Sequence, residues 1–164
     1  MYFWNVKALV KSLKDNSITE FEKMLYLLAY GLLFSFLSII STLMPETTTP
    51  QFYDDWILDV IFLIINAFGI LYLYNINSKG DNKDFITRYI CLGLPVTIRY
   101  FIFSIPYFIA ATIILGVSLA LISPNERSES GKVLNLILDI GGVVWVTYLF
   151  KYASKWVKEV SSHP

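Results

Sequence analysis

With a single cysteine, Cys91, this chain can close no internal disulfide and build no four-thiolate zinc site. Its single histidine, His163, stands next to the last residue, which removes multi-histidine metal sites and Ser–His dyads from any buried site. Charge is scarce: 16% of the residues are Asp, Glu, Lys or Arg, against roughly 25% in soluble domains. The net charge is zero, so the chain as a whole carries no nucleic-acid footprint. No phosphate-binding glycine loop occurs, no long repeat recurs, and no low-complexity tail is present. The first apolar run begins only at Met24 and no A-x-A-like site follows it, so no signal peptide is expected.

What the chain has instead is hydrocarbon. Four long apolar runs cover residues 24–44, 56–74, 100–122 and 133–150, holding 21, 19, 23 and 18 residues. A helix crossing ~30 Å of lipid needs ~20 mostly apolar residues, because each advances it ~1.5 Å. Each run is long enough to cross. Together they leave no single stretch able to bury a separate soluble core, so one domain is expected over 1–164. The fold expected is an all-α integral membrane protein of four transmembrane helices, packed as a four-helix bundle, with an amphipathic interfacial helix over 1–16.

The charges are sorted along this pattern. Lys7, Lys11, Lys14 and Lys23 precede the first run, and Lys79, Lys83, Arg88 and Arg99 separate the second from the third. Lys151, Lys155 and Lys158 follow the fourth, while Glu46, Asp54 and Asp55 lie between the first two runs with no basic residue among them. With both termini on one side, that side collects eleven of the thirteen basic residues. The positive-inside rule then puts both termini and the 75–99 segment in the cytosol of a bacterial inner membrane. Tyr72, Tyr74, Tyr148, Tyr152 and Trp156 mark the inner headgroup level, and Tyr53 and Trp56 the outer one.

Residues 2–14 read as an amphipathic helix: Lys7, Lys11 and Lys14 share one face, and Phe3, Val6, Leu9 and Leu13 line the other. Such a helix suits the anionic inner leaflet, lying in the interface plane; packing on a protein partner is the alternative. Asp15–Asn16 ends it, and Ser17-x-x-Glu20 or Thr19-x-x-Glu22 offers a capping box for the next helix. Residues 75–84 form a polar turn with Gly80 as its hinge. The apolar stretch 85–122 is too long for one crossing, so a cytosolic helix over 85–94, broken before Pro95, is expected ahead of a crossing that starts near Tyr100. Small residues (Gly31, Ser35, Ser38 and Thr42; Gly116 and Ala120; Gly141 and Gly142) form seams where helices approach closely, which points to a homo-oligomer.

Asp59 and Asp139 are the pointed features, both in the outer half of their runs. Asn66 follows Asp59 by seven residues and Asn135 precedes Asp139 by four, each pair on one helical face. If the second and fourth runs are neighbours, these four side chains form one intramembrane polar patch, serving either interhelical hydrogen bonds or an ion or proton path. An intramembrane aspartyl protease would also need two aspartates, but its Gly-x-Gly-Asp motif is missing. No catalytic residue, cofactor or metal is therefore expected. Lys7, Lys11, Lys14, Lys79, Lys83, Arg88, Arg99, Lys151, Lys155 and Lys158 are expected to form a surface that docks on anionic lipid or on a cytosolic protein. The function read from this is a non-enzymatic membrane protein that oligomerises and anchors or signals to that partner. The bias toward residues with AT-rich codons fits an accessory bacterial gene, for which anti-phage defence or toxin immunity is a natural setting. The alternative is a small ion or proton channel or transporter using the acids.

Overall fold

The computed structural model describes residue 2 and residues 4–43, 55–121 and 127–162. It contains five helices: α1 (Val6–Lys14), α2 (Glu20–Leu43), α3 (Asp55–Lys79), α4 (Phe85–Leu121) and α5 (Arg127–Ser161). Three of them hold stretches long and apolar enough to cross a membrane: Trp56–Lys79, Phe85–Tyr107 and Leu136–Ser161. The chain is thus all-helical among the described residues and has the make-up of a multi-pass membrane protein. The remaining expected crossing, 24–44, falls in α2, and its last residue, with the 45–54 loop, lies outside the described residues.

Local signals set the helix boundaries. Asn5 caps α1 by accepting a hydrogen bond from the Ala8 amide at 3.1 Å. Beyond Lys14 the chain turns through Asn16, whose φ of 49° is a left-handed value that asparagine tolerates. Of the two capping boxes offered, Thr19–Glu22 is the one closed: the Glu22 amide donates to the Thr19 hydroxyl, and the Thr19 amide to the Glu22 carboxylate. The α3–α4 turn reverses through Asn82 and Asp84, at φ of 52° and 40°. Gly80 is not its hinge, since no glycine in the described residues has positive φ. It is needed for a close approach instead, because a Cβ at Gly80 would collide with the carbonyl oxygen and side chain of Ser161.

The expected break before Pro95 does not occur. α4 runs through Pro95 and Pro106 as one helix of 37 residues, about 56 Å long. Pro95 is fully buried, with Leu94 and Val96 beside it. Proline costs a helix one backbone bond and a steric clash, and surrounding contacts can offset that loss. Here the α4 segment that carries it is the one wrapped by other helices.

Register shows how the helices run. Phe62 approaches Gly142, Gly69 lies against Phe150, and Gly80 against Ser161, a constant offset of 80–81 residues. Helices α3 and α5 are therefore parallel neighbours. Lys23 lies near Asp84, Tyr26 near Cys91, and Tyr30 against Gly93, so α2 and α4 are parallel as well. Among the described residues the principal contacts join α2 to α4, α4 to α5 and α5 to α3. These contacts set the helices in a row in the order α2, α4, α5, α3 among the described residues. Apolar helix faces gain nothing by leaving lipid for one another, so packing alone decides which of them meet.

The tightly packed region lies at one end of this row. Val6, Leu9, Val10 and Leu13 of α1 are buried together with Tyr26 of α2, Leu73 of α3, Cys91 and Leu92 of α4, and Trp156, Val157 and Val160 of α5. All five elements contribute, α2 and α3 with one fully buried apolar side chain each, which is why no single run foretold a core. The expected placement of the α1 apolar face in lipid is corrected here. That face is closed against α4 and α5, where each fully buried aliphatic side chain is worth ~1.5–3 kcal/mol.

Candidate functional site at the junction end

Where the five elements meet, polar groups are tied as firmly as the apolar ones. Arg88, on the first turn of α4, is only 5% exposed. Its guanidinium donates to both Asp81 carboxylate oxygens, at 2.5 and 2.6 Å, and to the Asn77 side-chain oxygen at 2.8 Å. Asn77 in turn donates to the Lys83 carbonyl, and the Asp81 amide donates to the Ser161 carbonyl. One bidentate pair thus clamps the end of α3 to the start of α4, and the same turn to the end of α5. Arg88, expected on the docking surface, is buried and paired with Asp81 and Asn77. Spacing offered no signal for this, since Asp81 and Arg88 meet across a turn and not along one helix.

The Arg88 guanidinium beside Asp81 holds its carboxyl below the usual carboxylate range. A depressed folded-state value means that the pair's stabilisation is complete above the unfolded value of ~3.9. It is lost as pH falls through the lower folded value. Melting of the detergent-solubilised protein, followed by circular dichroism, should be insensitive to this pair from neutral pH to about 5 and weaken below about 4. In Asp81→Asn that share of the acid loss should be absent; identical acid slopes would remove the pair from the account.

The other basic residues stay outside. Lys7, Lys11, Lys79, Lys83, Lys151, Lys155 and Lys158 are exposed. Lys14 is exposed too, and its Nζ donates to the Ser162 hydroxyl at 3.0 Å, joining α1 to the end of α5. Arg99 is half-buried, with its guanidinium 5.5 Å from the centre of the Trp4 ring, so it pins the segment ahead of α1 to α4. Lys151 sits over Tyr148 and Lys155 over Trp156.

At the opposite end, the α3–α5 offset brings Asp59 level with Asp139 on neighbouring helices. Asp59 is exposed and Asp139 half-buried. Asn66 is exposed, and its side-chain Nδ2 donates to the Phe62 carbonyl of its own helix at 2.7 Å. The side chain of Asn135 lies outside the described residues, as do those of Ser38, Thr42, Gly116 and Ala120 and the whole of His163. Three of the expected seam glycines differ: Gly142 faces Phe62, whereas Gly31 and Gly141 have open space around them.

Among the described residues no group of His, Cys, Asp and Glu is placed to hold a metal ion. Comparison with protein-family models, with curated proteins and with solved structures found no match.

Proposed function

We propose that this chain is a non-enzymatic membrane protein with four crossings, within α2 to α5, and both ends in the cytosol, where it anchors or signals to a cytosolic partner. The observation that carries the reading is the use made of α1. Its apolar face is buried against α4 and α5, while Lys7 and Lys11 are exposed on the other side of the helix. A helix held only by lipid would be free to move in the interface plane, whereas one bolted to a core presents its charges in a fixed array. Such an array fits an acidic protein face better than a fluid surface. Open space at Gly31 and Gly141 supports association between copies through close helix approach. The AT-rich residue usage supports an accessory bacterial role such as phage defence or toxin immunity.

Photo-cross-linking from position 7 or 11 of the full-length protein in its native membrane tests this. The expected result is a discrete adduct with a cytosolic protein, lost when Lys7 and Lys11 are both changed to Glu. Adducts with lipid alone would overturn the partner reading. A second reading, an ion or proton channel, draws on Asp59 standing level with Asp139. Acid-dependent flux through reconstituted wild-type protein, abolished by Asp59→Asn or Asp139→Asn, would put it first.

A further inference from the structure

The seam between α3 and α5 is a groove with two unlike stretches. Toward the junction end it opens to about 560 Å³ and is lined by Lys79, Lys155 and Lys158 with the hydroxyls of Ser154 and Ser162. Farther from that end it continues as a mostly apolar stretch of about 420 Å³, lined by Ile64, Phe68, Gly69 and Phe150, with Thr147 and Lys151 at its α5 side. Tyr72 borders both stretches, so they adjoin along the same seam. No Asp or Glu lines either stretch.

Helical spacing makes this groove. Positions 68, 72, 76 and 79 fall on one face of α3, and 147, 151, 154 and 158 on one face of α5. Because the two helices are parallel, α5 turns basic at Lys151, level with residues 70–71 of α3, and Lys155 and Lys158 then come within about 8 Å of Lys79 along the axis. Glycine at 69 lets the Phe150 ring lie flat against the α3 backbone, where a Cβ would come within 2.5 Å of it. From Ile64 to Lys79 the groove extends about 22 Å, which matches one leaflet of a bilayer including its headgroups, about 20–22 Å.

We infer that this groove holds one anionic glycerophospholipid, its phosphate on Lys79, Lys155 and Lys158 and one acyl chain along Phe68 and Phe150. The match is of charge and shape together. Three ammonium groups attract a phosphate, and an apolar stretch of about 12 Å, from Tyr72 back to Ile64, continues below them. A free phosphate would use only the basic stretch, and an acidic protein would leave the apolar one empty. Assigning the lipid to the cytosolic leaflet rests on the orientation proposed above; the existence of the site does not.

The test uses delipidated full-length protein in a neutral detergent, titrated with phosphatidylglycerol or phosphatidylcholine of the same chains and read by native mass spectrometry. Wild-type protein is expected to bind phosphatidylglycerol about tenfold tighter or more. The double variant Lys79→Gln/Lys158→Gln should lose that preference, with its lipid-free melting temperature unchanged. Thr147→Phe, which fills the apolar stretch, should weaken both lipids. Glycerol phosphate should bind far more weakly than either intact lipid. Equal affinity for the two lipids would overturn the proposal, and so would a preference that survives the double variant or moves to Lys7→Gln/Lys11→Gln. Detergent presents no sidedness, so a reversed membrane orientation would leave these results intact and sink only the orientation.

Discussion

Asp81→Ala is expected to let a thiol reagent reach Cys91 about a hundredfold faster than in the wild type. Cys91 is the only thiol in the chain and is fully buried in the junction, so its labelling rate reports opening of that junction without an added probe. Removing Asp81 leaves the Arg88 guanidinium buried with only the Asn77 amide oxygen as a side-chain partner. Breaking a buried pair by deleting one member costs about 3–5 kcal/mol, mostly because the survivor keeps its desolvation penalty. Since the Asp81 side chain is 19% exposed, water offsets part of this and the lower figure applies. At 1.4 kcal/mol per decade, ~3 kcal/mol is about two decades in opening. Lys83→Ala, at an exposed side chain, should change the rate less than about threefold. The double variant Asp81→Ala/Arg88→Met should recover much of the loss, because no charge is then left buried without its partner. A rate change below about tenfold for Asp81→Ala would mean that the pair is ornamental to the junction.

That pair marks the boundary between what the sequence makes legible and what it hides. Local chemistry was readable. Asn16 stops α1 by a left-handed turn, Thr19 and Glu22 cap α2, and long apolar runs coincide with long helices. Each of these is decided within a few residues of where it is written. Facts that depend on distant partners were not readable. Pro95 signals a break by its own chemistry and is overridden by the helices around it. Gly80 sits in a turn and invites a hinge, yet its role is set by Ser161, which is 81 residues away. Arg88 resembles the other basic residues flanking the runs until the turn brings Asp81 to it.

The acids illustrate the same limit. Periodicity put Asp59 with Asn66 and Asp139 with Asn135, since those pairings lie along single helices. Whether the two helices meet, and in what register, depends on contacts such as Gly69 with Phe150 and Gly142 with Phe62. No periodicity encodes these. The groove was half visible in the same sense. Lys151, Lys155 and Lys158 advertise one basic face, but only the parallel register of α3 adds Lys79 and the apolar channel below.

Leu9→Ala is the second change expected to be severe, and it separates the two places where α1 could lie. Leu9 is completely buried, at the middle of the face that α1 turns toward α4 and α5. Truncating such a leucine in a packed core costs about 2–5 kcal/mol, the transfer of its methyl groups plus the cavity left behind. On a membrane surface the same truncation would weaken lipid binding of α1 and leave the remainder of the protein untouched. Cys91, on α4, would then stay as protected as before. In the docked arrangement α1, with the residues ahead of it, lies along α4 from Trp4 at Arg99 to Leu13 near Arg88, the stretch that carries Cys91, so loosening α1 is expected to expose the thiol. Labelling of Cys91 in Leu9→Ala should therefore accelerate by about thirtyfold or more, since ~2 kcal/mol is already about one and a half decades. Lys7→Ala, on the exposed face of the same helix, supplies the comparison: it removes a charge without a cavity and should leave the rate within about threefold. Equal labelling of Cys91 in Leu9→Ala and wild type would detach α1 from the junction. With it would go the fixed basic array on which the partner reading rests.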